Sequence, residues 1–316
     1  MFKWRYVKRI LNWMPKSLKI WLYANFAASY MQALAREFFI DQKFMSSFPL
    51  ISGDTFRSIC DLSFDDDTDL NDLIRDIHAF EFSYSPKIFI NGGSRYYELF
   101  KECEKHEFNK KLKFIYHNDD RPLILDFSSR LIGKHDFYSV NTNNSAITNI
   151  PLGLENLKEC RYGKILSYTN NDVRLFRCNT TKDSLVLLNF REETNLGHRS
   201  EVLNLAKKFD FVKIANKVDI ASNIRNIQSS YFVLSPAGNG IDCYRNFEAM
   251  YLGVVPVVQK AEQLPYMVDL PILIVDSYAD FLELPFSVKV ELFMSFHNRS
   301  YPKLHFDYWR KLIDES

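Results

Sequence analysis

From about Phe48 onward, this chain alternates short apolar runs with stretches of helical spacing, and it does so in two successive blocks. In the first block the apolar runs are "KIFIN" (Lys87–Asn91), "KLKFIYHN" (Lys111–Asn118), "DFYSVNT" (Asp136–Thr142) and "ITNIPLGLEN" (Ile147–Asn156), the last turning at Gly153. Between them, "SRYYELFKECEKH" (Ser94–His106) and "LILDFSSRLIGKH" (Leu123–His135) read as helices. Short, nearly continuous apolar runs are the pattern of strands buried on both faces, and a β–α–β–α order places them in a parallel sheet covered by helices. Asn156 to Lys182 is polar, shows no strong period and reads as a linker region.

The alternation then restarts. "SLVLLNF" (Ser184–Phe190), "FVKIA" (Phe211–Ala215), "YFVLSP" (Tyr231–Pro236), "VVPVVQ" (Val254–Gln259) and "PILIVDS" (Pro271–Ser277) are strand-like. "HRSEVLNLAKKF" (His198–Phe209), "DIASNIRNIQSS" (Asp219–Ser230) and "CYRNFEAMYLG" (Cys243–Gly253) are helix-like, and the aromatic-rich stretch Val288–Ile313 reads as further helices. The predicted class is α/β, with two Rossmann-like doubly wound domains facing a cleft. The segments are 1–45 (basic and helical), 46–160, a linker region at 161–182, and 183–316. Ligand is expected at the C-terminal ends of the strands.

Composition supports a well-packed chain and narrows its partners. Of 316 residues, 47% are hydrophobic and 25% charged, enough to bury a sizeable core. A net charge of +1 gives no global attraction for nucleic acid. The five cysteines are odd in number, widely spaced and without metal-ligand spacing, so they read as reduced thiols of a cytosolic protein. The charge is unevenly placed. Met1 to Arg36 carries seven basic residues and no acid, and Val7, Ile10, Leu11 and Met14 form a helical stripe opposite Arg5, Lys8 and Arg9. With Trp4, Trp13 and Trp21 nearby, residues 1–36 are expected to attach peripherally to an anionic membrane surface, on the cytoplasmic side. The longest uncharged run, Ile20–Ala35, has 16 residues and is short for a span. No cleavable signal peptide is legible.

The stretch "YFVLSPAGNGIDCYRNFEAMYLGVVPVV" (Tyr231–Val258) carries the chemistry. Gly238 and Gly240 break the chain after a strand, and a helix starting near Asp242 or Cys243 offers its N-terminal amides to a phosphate. Arg245 in the first turn suits a diphosphate, and Glu248, three residues on, shares its face and suits ribose hydroxyls. The loop is neither a P-loop nor a Gly-x-Gly-x-x-Gly fingerprint, which argues against a two-domain NAD-type enzyme.

This stretch resembles the C-terminal signature of exostosin-like glycosyltransferases: apolar strand, Ser-Pro-x-Gly-x-Gly-x-Asp, then Arg, Glu-Ala, Leu-Gly and Pro-Val-Val. "SGDTFRSI" (Ser52–Ile59), "FIYHNDD" (Phe114–Asp120), "IPLGLEN" (Ile150–Asn156) and "NFREETNLGHR" (Asn189–Arg199) resemble bacterial members in the same order, so the resemblance spans about Phe48 to Ser277. It implies a GT-B fold, inverting transfer and a nucleotide-sugar donor bound mainly by the second domain. The donor side would comprise Arg191, Ser235, Gly238, Asn239, Gly240, Asp242, Arg245 and Glu248. Tyr244 and Asn246 depart from the flanking residues usual in that pattern.

The first domain should supply the general base that deprotonates an acceptor hydroxyl. His117, Asp119 and Asp120 follow a predicted strand, and Asp54 lies in a comparable loop. His117, Asp119 and Asp54 are the candidate bases, although His117 can equally satisfy backbone groups and Asp54 can cap a helix at Thr55. Arg57, Glu155 and Asn156 are candidates for the acceptor side. "FDDDTD" (Phe64–Asp69) sits in a polar turn before the first clear β–α–β unit and is set aside as a metal motif; no metal or other cofactor is expected beyond the sugar donor. The expected activity is sugar transfer to a glycan acceptor, lipid-linked if the basic segment binds membrane, as in the synthesis of a surface polysaccharide or lipooligosaccharide precursor. The alternative is a non-catalytic nucleotide- or glycan-binding subunit of a polysaccharide synthesis complex.

Overall fold

The computed structural model describes residues 47–81, 84–93, 95–125, 130–156, 172–178, 180–215 and 218–316. The basic segment 1–45 and most of the linker region lie outside them.

The first sheet contains β1 (Leu62–Phe64), β2 (Lys87–Asn91), β3 (Lys113–His117), β4 (Asp136–Ser139) and β5 (Thr148–Asn149), all parallel and in chain order. Successive side chains face opposite ways. Ile88, Ile90, Phe114, Tyr116 and Phe137 therefore pack on one face against α2 (Leu70–Glu81) and α3 (Tyr96–Cys103), which bury Leu73, Ile77, Leu99 and Phe100. Phe89, Ile115 and Tyr138 face the other way, into a core that continues through Phe306, Trp309 and Ile313 to the second sheet.

The second sheet runs β11 (Leu273–Val275), β10 (Val255–Gln259), β9 (Ser230–Leu234), β7 (Ser184–Leu188), β8 (Val212–Ile214), again all parallel. Chain order reverses here between β7 and β9, the arrangement that opens a crevice between diverging loops. The reversal expected of a doubly wound sheet is absent from the first sheet among the described residues. The helices around the second sheet are α4 (Leu196–Ala206), α5 (Ile220–Gln228), α6 (Tyr244–Tyr251), α7 (Tyr278–Glu283) and α8 (Phe286–Phe296). A short antiparallel pair joins β6 (Leu175–Phe176) to β12 (Arg299–Ser300).

The last helix, α9 (Phe306–Glu315), returns to the first sheet. Buried Lys113 donates from Nζ to the carbonyls of Ile313 (2.5 Å) and Asp314 (3.2 Å), capping the negative end of α9. Phe306 meets Phe56 edge to face at 5.1 Å. Trp309 is fully buried; truncating such a side chain costs about 3–5 kcal/mol.

Three local expectations are corrected. The stretch between β3 and β4 is no helix where it is described: Leu123 and Leu125 are buried while Ile124 between them is exposed, a period of two that lays the chain out as an extended strap. The Leu123 amide bonds Ser139 Oγ at 3.0 Å instead of a helical carbonyl. Helix α1 (Gly53–Arg57) is capped by Ser52, which accepts from the Thr55 amide, so Asp54 sits inside the first turn and is not the cap. The acidic run after Phe64 directly follows β1, inside the first β–α–β unit, and Asp65 forms a two-pronged ion pair with Arg57.

Candidate active site

The C-terminal ends of the two sheets meet. The loop after β9 lies on the loops after β3, β4 and β5 through three hydrogen bonds. Asn239 Nδ2 donates to Asp120 Oδ2 (3.1 Å), the Asp242 amide to Asn141 Oδ1 (2.6 Å), and the Leu152 amide to Asp242 Oδ2 (2.8 Å). Asn141 holds its place with φ of 57°, a left-handed conformation Asn tolerates better than most residues. Gly240 is required by this contact, because a Cβ there would stand 2.6 Å from the Asp120 carbonyl oxygen. Both Gly238 and Gly240 serve close approach; neither has positive φ.

Beyond β7 and β9, at the reversal of strand order, a crevice of about 590 Å³ opens, a size common for small-molecule sites. Arg191, Arg199, Arg245 and Glu248 line it from the second half, and Asp120 and Leu152 from the first. Arg199 occupies the apolar stripe of α4 with Val202, Leu203 and Ala206, and is almost wholly buried. It donates to the carbonyls of Arg191 (2.9 Å), Pro236 (3.1 Å) and Ala237 (3.0 Å), fixing both loops that border the crevice. Glu262 steadies the same loop from behind, accepting the Ala237 amide at 2.9 Å and the Tyr278 hydroxyl at 3.0 Å.

Arg245 donates from Nε to Asn189 Oδ1 (3.0 Å), and Asn189 in turn donates to Asn223 Oδ1 (2.9 Å). The guanidinium carbons of Arg199 and Arg245 lie 5.3 Å and 5.6 Å from the centroid of the Phe190 ring. Burial, reinforced by Arg245, pushes the Arg199 guanidinium down to about 10, still charged at neutral pH. None of the three arginines makes an ion pair with a carboxylate among the described residues. The cap of α6, Cys243, forms no side-chain capping bond, and the first turn of that helix also faces the crevice. Like-charged guanidiniums beside a helix N-terminus create a positive potential that an anion relieves. Val218, Ile220 and Ile224 form an apolar wall next to it.

The other sequence candidates fall elsewhere. His117 is buried, with its ring 5.2 Å from Phe56 and 6.5 Å from Phe89. Its Nδ1 accepts the Asn118 amide (2.8 Å) and its Nε2 donates to the Pro151 carbonyl (3.1 Å). Burial outweighs those bonds and pushes it down to about 4. With both nitrogens engaged, it is a neutral histidine held within the fold, and it does not line the crevice. Asp119 accepts from Tyr116 Oη (2.5 Å) and the Arg121 amide (3.0 Å). Burial pushes its carboxyl up, but these bonds outweigh that and leave it below the usual range, a poor base turned away from the crevice.

The Asp54 amide donates to Asn156 Oδ1 (2.8 Å), and Asn156 Nδ2 donates to Asn118 Oδ1 (3.1 Å), so Asn156 ties loops together. Half-buried Glu155 adjoins it, and neither of these nor Asp54 lines the crevice. Arg57 is taken by Asp65. Ser235 is buried behind the loop, 3.3 Å from Cys243 Sγ. Asp242 borders the crevice, but its carboxylate accepts from Leu152 and Asn246 and serves as a strut between the halves; burial pushes it up from the ordinary range.

Arg199 and Asp120 line the crevice without being singled out by the sequence. Arg199 stood at the i position of an i, i+3, i+4, i+7 stripe with Val202, Leu203 and Ala206, an arginine where the period demands an apolar side chain. Asp120 was visible beside Asp119, and nothing in the sequence ranked one above the other. Among the described residues no group of three or more His, Cys, Asp or Glu is arranged to hold a metal. No family model matches this chain, and no curated protein matches it either.

Proposed function

We propose that this protein is a glycosyltransferase of GT-B-like arrangement, moving a sugar from a nucleotide-sugar to a glycan acceptor. The observation that carries this reading is the crevice at the strand-order reversal, in which Arg191, Arg199 and Arg245, without carboxylate partners among the described residues, stand across from Asp120. In this reading the arginines and the first turn of α6 hold the diphosphate and stabilise the charge it gains as leaving group. Glu248 accepts ribose hydroxyls, and the apolar wall of Val218, Ile220 and Ile224 takes the flat base.

Asp120 takes the place first expected of His117, Asp119 or Asp54. It accepts the proton of the acceptor hydroxyl as that oxygen bonds to the anomeric carbon and the bond to the diphosphate breaks, its electron pair leaving with the phosphate. Single displacement of this kind inverts the anomeric centre, in keeping with the resemblance to exostosin-like enzymes. No described helix is long and apolar enough to cross a membrane. Attachment through residues 1–36 to the inner face of the cytoplasmic membrane, and a lipid-linked acceptor, complete the proposal.

Calorimetric titration with nucleoside diphosphates and nucleotide-sugars tests it. At least one should bind, and the Arg245→Ala variant should lose that binding while keeping the wild-type unfolding transition. Absence of binding across the panel overturns the reading. The second reading, a non-catalytic binding subunit, draws on the engagement of His117 and Asp119 in internal bonds. It requires donor binding without turnover, and an Asp120→Asn protein that leaves cellular glycan unchanged.

A further inference from the structure

The proposed base and the side chain that holds it belong to different halves of the molecule. Asp119, its neighbour, is fixed from within the first half by Tyr116 and Arg121. Asp120 is exposed, and among the described residues its carboxylate has one hydrogen-bond donor, Asn239 Nδ2, which reaches Oδ2 at 3.1 Å from the second half. The amide must turn its nitrogen to the carboxylate, because an ionised carboxylate only accepts.

Asn239 projects from a loop whose backbone is held in place. The Gly238 amide donates to the Gly240 carbonyl at 2.9 Å, closing the loop on itself with Asn239 at its tip. Arg199 bonds the carbonyls of Pro236 and Ala237, and Glu262 takes the Ala237 amide. Gly240 packs so closely on the Asp120 carbonyl that no Cβ fits between them. Asn141 joins the two loops, donating to the Asp119 carbonyl at 3.3 Å and accepting the Asp242 amide at 2.6 Å. The backbone is thus fixed on both sides of the Asn239–Asp120 bond, and the bond itself sets the direction of the carboxylate.

We infer that Asn239 is a positioning residue for the base and not a contact for the donor, an inference that rests on the reading of Asp120 as that base. Asn239 occupies Oδ2 and leaves Oδ1 to take the proton of the acceptor hydroxyl. As an uncharged donor it orients the carboxylate without supplying a counter-charge. Because its loop also borders the crevice proposed for the diphosphate, the base is aimed only while the two halves are docked. The residue that the resemblance places on the donor side thereby couples the donor loop to proton transfer.

A double-mutant cycle tests it, with the full chain and release of nucleoside diphosphate from UDP-, GDP- and dTDP-sugars, a total lipid extract serving as the source of acceptor. Asn239→Ala should lower kcat about tenfold to 100-fold, while nucleoside diphosphate affinity stays within about twofold. The unfolding transition should not move, since both side chains are exposed. In the Asp120→Asn protein the same change should cost less than about twofold, because no base remains to be aimed. Asn239→Asp, which sets a second carboxylate against Asp120, should fall at least as low as Asn239→Ala. Equal losses in both backgrounds, or weaker diphosphate binding with kcat unchanged, overturn this inference alone and return Asn239 to the donor side. No release by the wild type from any of the sugars overturns the transferase reading, and this inference falls with it.

Discussion

Both sheets end their strands at the same junction, yet the polar residues there are in opposite states. After β3, His117 and Asp119 spend their hydrogen-bonding capacity on Asn118, Pro151, Tyr116 and Arg121. After β7 and β9, Arg199 and Arg245 bond to neutral acceptors, make no ion pair with a carboxylate among the described residues, and line the crevice. A buried polar group that is satisfied rigidifies a fold, whereas a charge held without its opposite marks a place where a ligand supplies it. Residue type therefore says less about function than what each donor and acceptor has left over.

The contrast can be broken most severely at Asp120, the exposed acid of the first half that does reach the crevice. Asp120→Asn should lower kcat by about 10²–10⁴-fold, the usual worth of a general base, while nucleoside diphosphate affinity stays within about twofold. Full turnover in this variant, read in a single-turnover transfer assay, would return the search for the base to other residues. Arg245→Ala comes next. Loss of one charge-assisted contact to a diphosphate should weaken binding about 100-fold, near 2.7 kcal/mol, by calorimetry, with urea unfolding almost unchanged because the side chain is only half-buried.

The two glycines of the loop sharpen the same division. A Cβ at Gly240 meets the Asp120 carbonyl oxygen at 2.6 Å, backbone that cannot swing aside, whereas one at Gly238 meets Arg199 Nη2 at 2.8 Å. Gly240→Ala should therefore cost about 2 kcal/mol of stability in denaturant unfolding, by forcing the halves apart. Gly238→Ala should show its effect in anion affinity, by displacing the guanidinium. Equal effects of the two on stability would mean that the loop does not divide these tasks.

Much of this layout is legible in the sequence. Continuous apolar runs such as "KIFIN" and "SLVLLNF" can only be doubly buried strands, and both sheets follow from them. The extended strap after β3 is illegible because "LILDFSSRLIGKH" has helical composition while its period of two rests on only three residues, Leu123 to Leu125. The crevice loop is legible because close approach restricts positions 238 and 240 to glycine. The choice among His117, Asp119 and Asp120 is not, since three polar residues within four positions at one strand end differ only in where their side chains turn. That depends on Tyr116, Pro151 and Asn239, two of them distant in the chain.

The smallest effect is a titration, and it bears directly on His117. Its ordinary value of 6.5 falls to about 4, first because burial penalises the imidazolium. A depressed value means that the unfolded chain binds the proton more readily than the folded one. The neutral ring therefore contributes fully above pH 6.5, and this contribution is lost as pH falls from 6.5 through 4. Between pH 7 and 5.5 the expected loss from this one group is about 1 kcal/mol. Denaturant unfolding of wild type and His117→Gln at the two pH values isolates it, because the variant's lower starting stability cancels when each protein is compared with itself. NMR gives the complementary reading: the His117 ring should keep its chemical shift from pH 8 to pH 5. A midpoint near the ordinary histidine value would mean that one of its nitrogens reaches solvent, which would reinstate it as the base and erase the difference between the two strand ends.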